Sequence, residues 1–175
     1  EKNDLRLLNL LNYNEIEKQK FSLIHLIIEI ILNDSFEKWK YIFKDYDTDM
    51  VKRITSSENN NQSSSSSSLT YGEIDFFSFA NILERSQPRQ GEIFVDLGHG
   101  TGKGLICASL LYGNVLQKCY GIEIVHSLYE ISATVVNNYL TLQRNESDSF
   151  SILNNNCELT VEEGDILNND NWTQA

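Results

Sequence analysis

Cysteine is scarce in this chain, and so is basic charge. The three cysteines, Cys107, Cys119 and Cys157, are widely spaced and form no C-x-x-C pair. That excludes the disulfide framework of a small secreted domain and predicts reduced, structural thiols in an intracellular protein. With His25, His99 and His126 as the histidines, a Cys/His zinc site is not expected. Fourteen Lys plus Arg stand against 25 Asp plus Glu, a formal net charge of −11, with no basic cluster of five or more. A protein that grips phosphates needs cationic surface, so no nucleic-acid-binding patch is expected. The acidity is read first as a solubility feature and second as an attraction for a basic protein tail or loop. Long apolar runs are missing too. The longest, Phe21–Leu32, is interrupted by Ser22, His25 and Glu29 and falls short of the ~20 residues that span a bilayer. Residues 1–20 are charged throughout, unlike a secretory signal, so neither secretion nor membrane insertion is expected.

A hydrophobic content of 41 % is enough for a core, and the length suits one domain with a helical appendage. Residues 4–33 have helical spacing, with Leu5, Leu8, Leu11 and Ile16 ahead of the denser Phe21–Leu32. Asn33-Asp34-Ser35 breaks the pattern. Asp34 as N-cap with Glu37 three residues on predicts a fresh helix over Phe36–Phe43, carrying Trp39 and Tyr41. Residues 56–68 are Ser- and Asn-rich and cannot bury apolar area to offset ordering entropy, so disorder is expected. The expected organisation is therefore a helical region at 1–55, a linker at 56–68 and a folded domain at 69–175. Residues 145–156 read as a compositional insertion.

Residues 93–104, Ile-Phe-Val-Asp-Leu-Gly-His-Gly-Thr-Gly-Lys-Gly, carry the most information. A short apolar run ends in Asp96, glycines follow at 98, 100, 102 and 104, and an apolar segment begins. That is strand, tight turn, helix. Alternate glycines allow positive φ and close passage of backbone past a ligand, and the next helix turns its first amides toward that ligand. The dinucleotide spacing G-x-G-x-x-G fails because position 103 is Lys103, and the phosphate-loop spacing fails at Leu97 and Gly104. His99 is expected to face solvent in the turn and not to act as a base. The helix should run from Gly102 to Tyr112 and stop at Gly113. A second strand, Lys118–Ile124, ends at Glu123, where a carboxylate can accept hydrogen bonds from both hydroxyls of a ribose. A third, Cys157–Val161, leads into Gly164-Asp165-Ile166. The set argues a right-handed βαβαβ unit with its ligand at the carboxyl ends of the strands.

An acidic residue, a spacer and G-x-G-x-G resemble the first motif of class I S-adenosylmethionine-dependent methyltransferases. That likeness implies S-adenosyl-L-methionine as cofactor and S-adenosyl-L-homocysteine as product. It assigns Asp165 to the exocyclic amine of the adenine and Ile166 to its ring face. Upstream, Thr70-Tyr-Gly-Glu-Ile74 precedes a helical pattern with apolar residues at 76, 79, 80 and 83. A Tyr-Gly-Glu loop, a short helix and then Phe-Val-Asp-Leu-Gly-x-Gly-x-Gly resemble the disruptor-of-telomeric-silencing family, the non-SET histone-lysine methyltransferases. The likeness covers about residues 69–175. It implies an α/β, Rossmann-like parallel sheet preceded by helices. Tyr71 and Glu73 would close over the methionine end of the cofactor, and Asp96, Gly98, Gly100 and Gly102 would line it. Lys103 would lie near that end, where the family usually has glutamine. Glu123 would hold the ribose, and Asp165 and Ile166 the adenine.

The family likeness also implies a histone or nucleosome substrate and a nuclear location; without the histone substrate the location would be cytoplasmic. Departures are Ile74-Asp75 for Thr-Ser, His99 for Ser and Ile166 for an aromatic residue. Asn171-Trp172-Thr-Gln-Ala175 is similar to the run before the family's fourth strand, so the chain reads as truncated there, and acceptor-side catalytic residues remain unassigned. The competing expectations are a class I methyltransferase acting on a non-histone protein, RNA or small molecule, and an inactive cofactor-binding or scaffold protein. Oligomeric state is left open.

Overall fold

The computed structural model describes residues 2–61, 72–145 and 156–168. It divides into two compact units, Glu1–Asp34 and Ser35–Ala175. Helix α1, Lys2–Ile42, begins in the first unit and ends in the second. Between residues 21 and 30 its apolar side chains flank a narrow polar face of Ser22, His25 and Glu29. Phe21, Leu23, Ile24, Leu26, Ile27, Ile28 and Ile30 are all exposed, and His25 pairs with Glu29 one turn on, at 3.4 Å.

The expected break at 33–35 does not occur. Asn33, Asp34 and Ser35 cost a helix only about 0.5 kcal/mol each relative to alanine, far less than glycine or proline. Ser35 is small enough to be buried, and Phe36, Trp39 and Phe43 beyond it pack tightly. Asp34 is thus no N-cap, and Glu37 instead pairs with Lys40 at 2.8 Å.

The second unit continues with α2, Thr48–Asn61, which the sequence reading did not anticipate. Its start is fixed by Asp47, whose Oδ1 accepts from the Met50 amide at 2.7 Å. Val51 is fully buried. The helix runs through 56–61, where disorder was expected. Once its first turns are anchored, each further residue adds a hydrogen bond at little cost, and Ser56 donates its hydroxyl to the Lys52 carbonyl at 2.7 Å. The rest of the Ser-rich run, 62–68, lies outside the described residues. The boundary between units falls at Asp34, so residues 36–55 belong with the sheet.

Helix α3, Phe76–Ser86, is capped by Asp75, which accepts from the Ser78 amide. Then come β1 (Ile93–Leu97), α4 (Lys103–Tyr112), β2 (Lys118–Glu123), α5 (His126–Asn145) and β3 (Glu158–Glu163). The three strands are parallel in the order β1-β2-β3. This is the α/β, Rossmann-like arrangement expected, with helices ahead of it. Gly113 does end α4, but from a right-handed conformation (φ −67°), its amide bonded to the Ser109 carbonyl.

The core lies between the sheet and its helices. Leu105, Ile106, Cys107 and Ala108 of α4, Cys119 and Ile122 of β2, and Val135 and Tyr139 of α5 are all buried. Tyr139 satisfies its hydroxyl on Ser109 at 3.0 Å and Gln143 at 2.8 Å. A second, aromatic cluster joins the end of α1 to α3. Phe36 lies 5.4 Å from Phe76 and 4.6 Å from Phe77, and Trp39 lies 5.8 Å from Phe76.

Candidate cofactor site

The parallel register aligns Asp96 with Gly121 and Leu97 with Ile122. The chain leaving β1 therefore turns directly over the carboxyl end of β2. Ile122 holds it there, because its carbonyl accepts from both Gly98 N (2.8 Å) and His99 N (3.4 Å). Gly98, Gly100 and Gly102 have φ of 79°, 58° and 86°, a region that L side chains rarely enter. A side chain at Gly98 would meet nothing within 4 Å, so the loop presents bare backbone to open space. At Gly104 the constraint is contact: a Cβ there would stand 2.8 Å from Asp96 Oδ2 and 3.3 Å from the Phe79 ring.

Glu123 is buried and immobilised. Oε2 accepts from the Gly100 amide at 2.8 Å and Oε1 from the Val125 amide at 2.9 Å. The last residue of β2 thus clamps the middle of the glycine loop, and each oxygen keeps a second lone pair. Asp96 is the opposite case. Its carboxylate is half-buried, and among the described residues no cation or hydrogen-bond donor meets it. Burial and then the charge of Glu123 push its pKa up to about 6.

Glu73 and Lys103 come together although 30 residues separate them. Lys103 Nζ lies 2.7 Å from Glu73 Oε2, with side chains only 13 % and 11 % exposed. Thr48 donates its hydroxyl to the same oxygen. The ammonium sits 5.5 Å from the Trp39 ring and 5.7 Å from that of Phe43, while Trp39 Nε1 donates to the Lys103 carbonyl at 3.2 Å. Trp39, Phe43 and Thr48 were not singled out as site residues. The 36/39/43 spacing was legible as one helix face; nothing in the sequence pointed Thr48 at Glu73.

Asp165 and Ile166 occupy the turn after β3, next to the clamp, since the Gly164 amide donates to the Glu123 carbonyl at 2.9 Å. The Asp165 carboxylate braces its own turn, accepting from Leu167 N (2.9 Å) and Asn168 Nδ2 (2.8 Å). Ile166 is exposed. Tyr71 lies outside the described residues, as does 171–175.

His99 corrects the sequence reading: it is buried, not solvent-facing. Nδ1 donates to the Gly100 carbonyl at 2.9 Å, and Nε2 has no partner. Burial lowers its pKa against the opposing charge of Glu123, which favours the neutral ring. It rests on Gly121, where a Cβ would come within 2.5 Å of its Cδ2. Among the described residues no cluster of three or more His, Cys, Asp or Glu side chains could hold a metal, and no helix is long and apolar enough to cross a membrane.

Comparison with known proteins adds a family. The sequence profile described as "Histone methylation protein DOT1" matches residues 50–175. No curated protein matches the chain. Among solved structures, the rRNA methyltransferase aviRa from Streptomyces viridochromogenes is similar at 14 % identity and a TM-score of 0.43, over 58 % of this chain and 53 % of that one. The YcgJ protein from Bacillus subtilis is similar at 14 % identity and a TM-score of 0.36, over 51 % of this chain and 30 % of that one. The chain thus spans from under a third to about half the length of these structures.

Proposed function

We propose, for a chain that belongs to the histone methylation protein DOT1 family, that it takes part in S-adenosyl-L-methionine-dependent methyl transfer to a protein lysine, of a histone in the nucleus. The observation that carries the cofactor reading is Asp96. A carboxylate with no cation, beside a second carboxylate and under a loop of bare backbone, favours a ligand that brings positive charge.

The residues present fit that cofactor. Gly98 leaves open space where a side chain would intrude, and Gly104 lets the first turn of α4 approach Asp96. Asp96 would face the cationic amino-acid end, with Glu73 and Lys103 nearby. Glu123, already fixed by two amides, would turn its free lone pairs to the ribose hydroxyls. Asp165 and Ile166 would meet the adenine edge and face. When bound, the cofactor supplies an electrophilic methyl group. Displacement at carbon needs little acid–base chemistry at the methyl and mostly in-line positioning. The protein's task is therefore to fix one partner rigidly, which the Ile122 and Glu123 contacts do for the loop. The acceptor lysine must arrive neutral. With a reference pKa of about 10.4, only ~0.1 % is neutral near pH 7.4, and an apolar channel lowers that pKa by desolvation.

One observation favours a second reading. The net charge of −11 suits a basic protein segment other than nucleosomal histone, because nucleosome binding also needs cations for phosphate. Radiolabelled methyl transfer to nucleosomes, free histones, other basic proteins and total RNA separates the two. Calorimetry with S-adenosylmethionine tests the cofactor itself. Affinity should fall as pH drops below about 6 and Asp96 protonates, and Asp96→Ala or Glu123→Ala should lose binding. Affinity unchanged in both variants would sink the cofactor reading.

A further inference from the structure

Among the described residues, the first compact unit consists of α1 alone. A lone helix is marginal in water, because helical stability comes mostly from packing an apolar face. Such a face lies open here. Phe21 is 76 % exposed, and Leu23, Ile24, Ile27, Ile28 and Ile30 are 45–58 % exposed. At roughly 100 Å² for each half-exposed side chain of this size, these residues and Leu26 present about 700 Å². A monomer rarely shows an apolar patch that large, and it approaches the ~800 Å² that each partner buries in a standard interface.

At 100° per residue, Phe21, Leu23, Ile24, Ile27, Ile28, Ile30 and Ile31 share one side of the helix, and Lys18, Ser22, His25 and Glu29 share the other. Written in heptads, Ile24 and Ile31 take one seam position, and Lys20, Ile27 and Asp34 take the second. Lys20 and Asp34 thus fall on the apolar side, one at each end of the patch, about 10 Å from Ile27 along the axis. Both are exposed.

These charges select the occupant. A lipid surface favours a cationic polar face, whereas this one mixes both signs. The stretches at 62–71, 146–155 and 169–175 are mostly Ser, Asn and Asp and hold too few large apolar side chains to cover the patch. A second copy fits. Residues 18–34 are formally neutral, with Lys18 and Lys20 at one end and Glu29 and Asp34 toward the other, so two copies meet here without the repulsion of their net charge. Running antiparallel about Ile27, they bring Lys20 of each copy level with Asp34 of the other. A parallel pair would set Lys20 on Lys20 and Asp34 on Asp34, which is repulsive at both ends.

We infer that this face of α1 is a homodimer interface. Two copies pair antiparallel through Ile24, Ile27, Ile28 and Ile31, with a Lys20–Asp34 ion pair at each end, as a self-complementary two-fold contact requires. The pairing stands apart from the cofactor reading.

Sedimentation velocity on the full chain tests it. Wild type should be a dimer across the micromolar range. Ile27→Glu sets two carboxylates at the two-fold axis and should give a monomer, with the near-ultraviolet dichroism of the Phe76 aromatic cluster unchanged. Lys20→Glu and Asp34→Lys should each weaken the dimer about tenfold, since two exposed pairs turn from attraction to repulsion. The double variant Lys20→Glu/Asp34→Lys should restore it, and an equimolar mixture of the two single variants should form a heterodimer. These reversals change exposed side chains, so they remain informative if Ile27→Glu disturbs the helix. A monomeric wild type, or an assembly larger than a dimer, overturns the inference. Single reversals without effect, or a double variant no tighter than the singles, overturn it as well. A wild type that stays monomeric yet binds phosphatidylglycerol vesicles assigns the face to a lipid surface instead.

Discussion

Asp96 is held in an environment that disfavours its charge, and this has a measurable cost. Its pKa is raised from 3.8 to about 6 by burial and by Glu123. A raised carboxylate pKa means the folded state prefers the protonated form. The contribution to stability is present below the unfolded pKa near 4 and is lost as pH rises through 6. Asp96→Asn should therefore stabilise the protein at pH 7–8 by about 3 kcal/mol at most, while abolishing affinity for a cationic ligand. Denaturant unfolding at pH 8 and at pH 4 checks this: the gain should be full at the first and vanish at the second. Gly121 gives a steric counterpart. Its Cβ would lie 2.5 Å from both His99 Cδ2 and Leu105 Cδ1. Both neighbours are buried, so Gly121→Ala should cost about 2 kcal/mol or more and displace the loop that His99 supports. Chemical denaturation gives the first effect, and loss of S-adenosylmethionine affinity in the still-folded fraction gives the second.

Among the elements, aromatic packing does what helix propensity alone could not. Phe76 is 1 % exposed and touches Phe36, Trp39 and Phe77. Phe76→Ala should cost about 3–5 kcal/mol and loosen the end of α1 that carries Trp39. Near-ultraviolet circular dichroism should weaken under conditions where far-ultraviolet helicity persists. The same packing explains where the sequence could be read and where it could not. The run from β1 to α4 was legible because glycine spacing is a local signal, and the strand end at Glu123 followed from a short apolar run, whereas β3 runs on to Glu163, two residues past the Val161 at which the apolar alternation stops. The continuity of α1 across Asn33-Asp34-Ser35 was not legible, because it depends on Phe36 and Trp39 finding Phe76 in another segment. Helix α2 escaped notice for a related reason. Its apolar stripe is sparse, and Asp47 identifies its start only once the Met50 amide is seen bonded to it. The meeting of Glu73 with Lys103 was invisible for the plainest reason: two opposite charges 30 residues apart carry no sign of contact.

At the scale of the whole molecule, the charge imbalance and the fold act on different things. An excess of 11 negative charges favours solubility and attraction of basic segments, yet the surroundings of the glycine loop hold two local departures from that field. One is a cation held inside the protein at Lys103, and the other an anion left uncompensated at Asp96. The three cysteines extend the description from geometry to time. Cys107 sits in α4, Cys119 in β2 and Cys157 just ahead of β3, all buried and none in a disulfide, with Cys157 Sγ 3.5 Å from Cys119 Sγ. Burial alone pushes the Cys107 thiol up to about 12, and the hydrogen bond with Cys157 together with burial pushes Cys119 up, so alkylation of these two in the folded state is negligible, whereas the same hydrogen bond lowers the pKa of Cys157. Each thiol thus reports on the opening of its own element. With mass-spectrometric readout, Cys157, which lies at a strand entrance, should label first. Cys107 and Cys119, in the shared core of α4 and β2, should label together and only at the rate of global unfolding. The glycine loop, pinned by Ile122 and Glu123 of that same β2, then has a lifetime set by the slowest clock in the molecule.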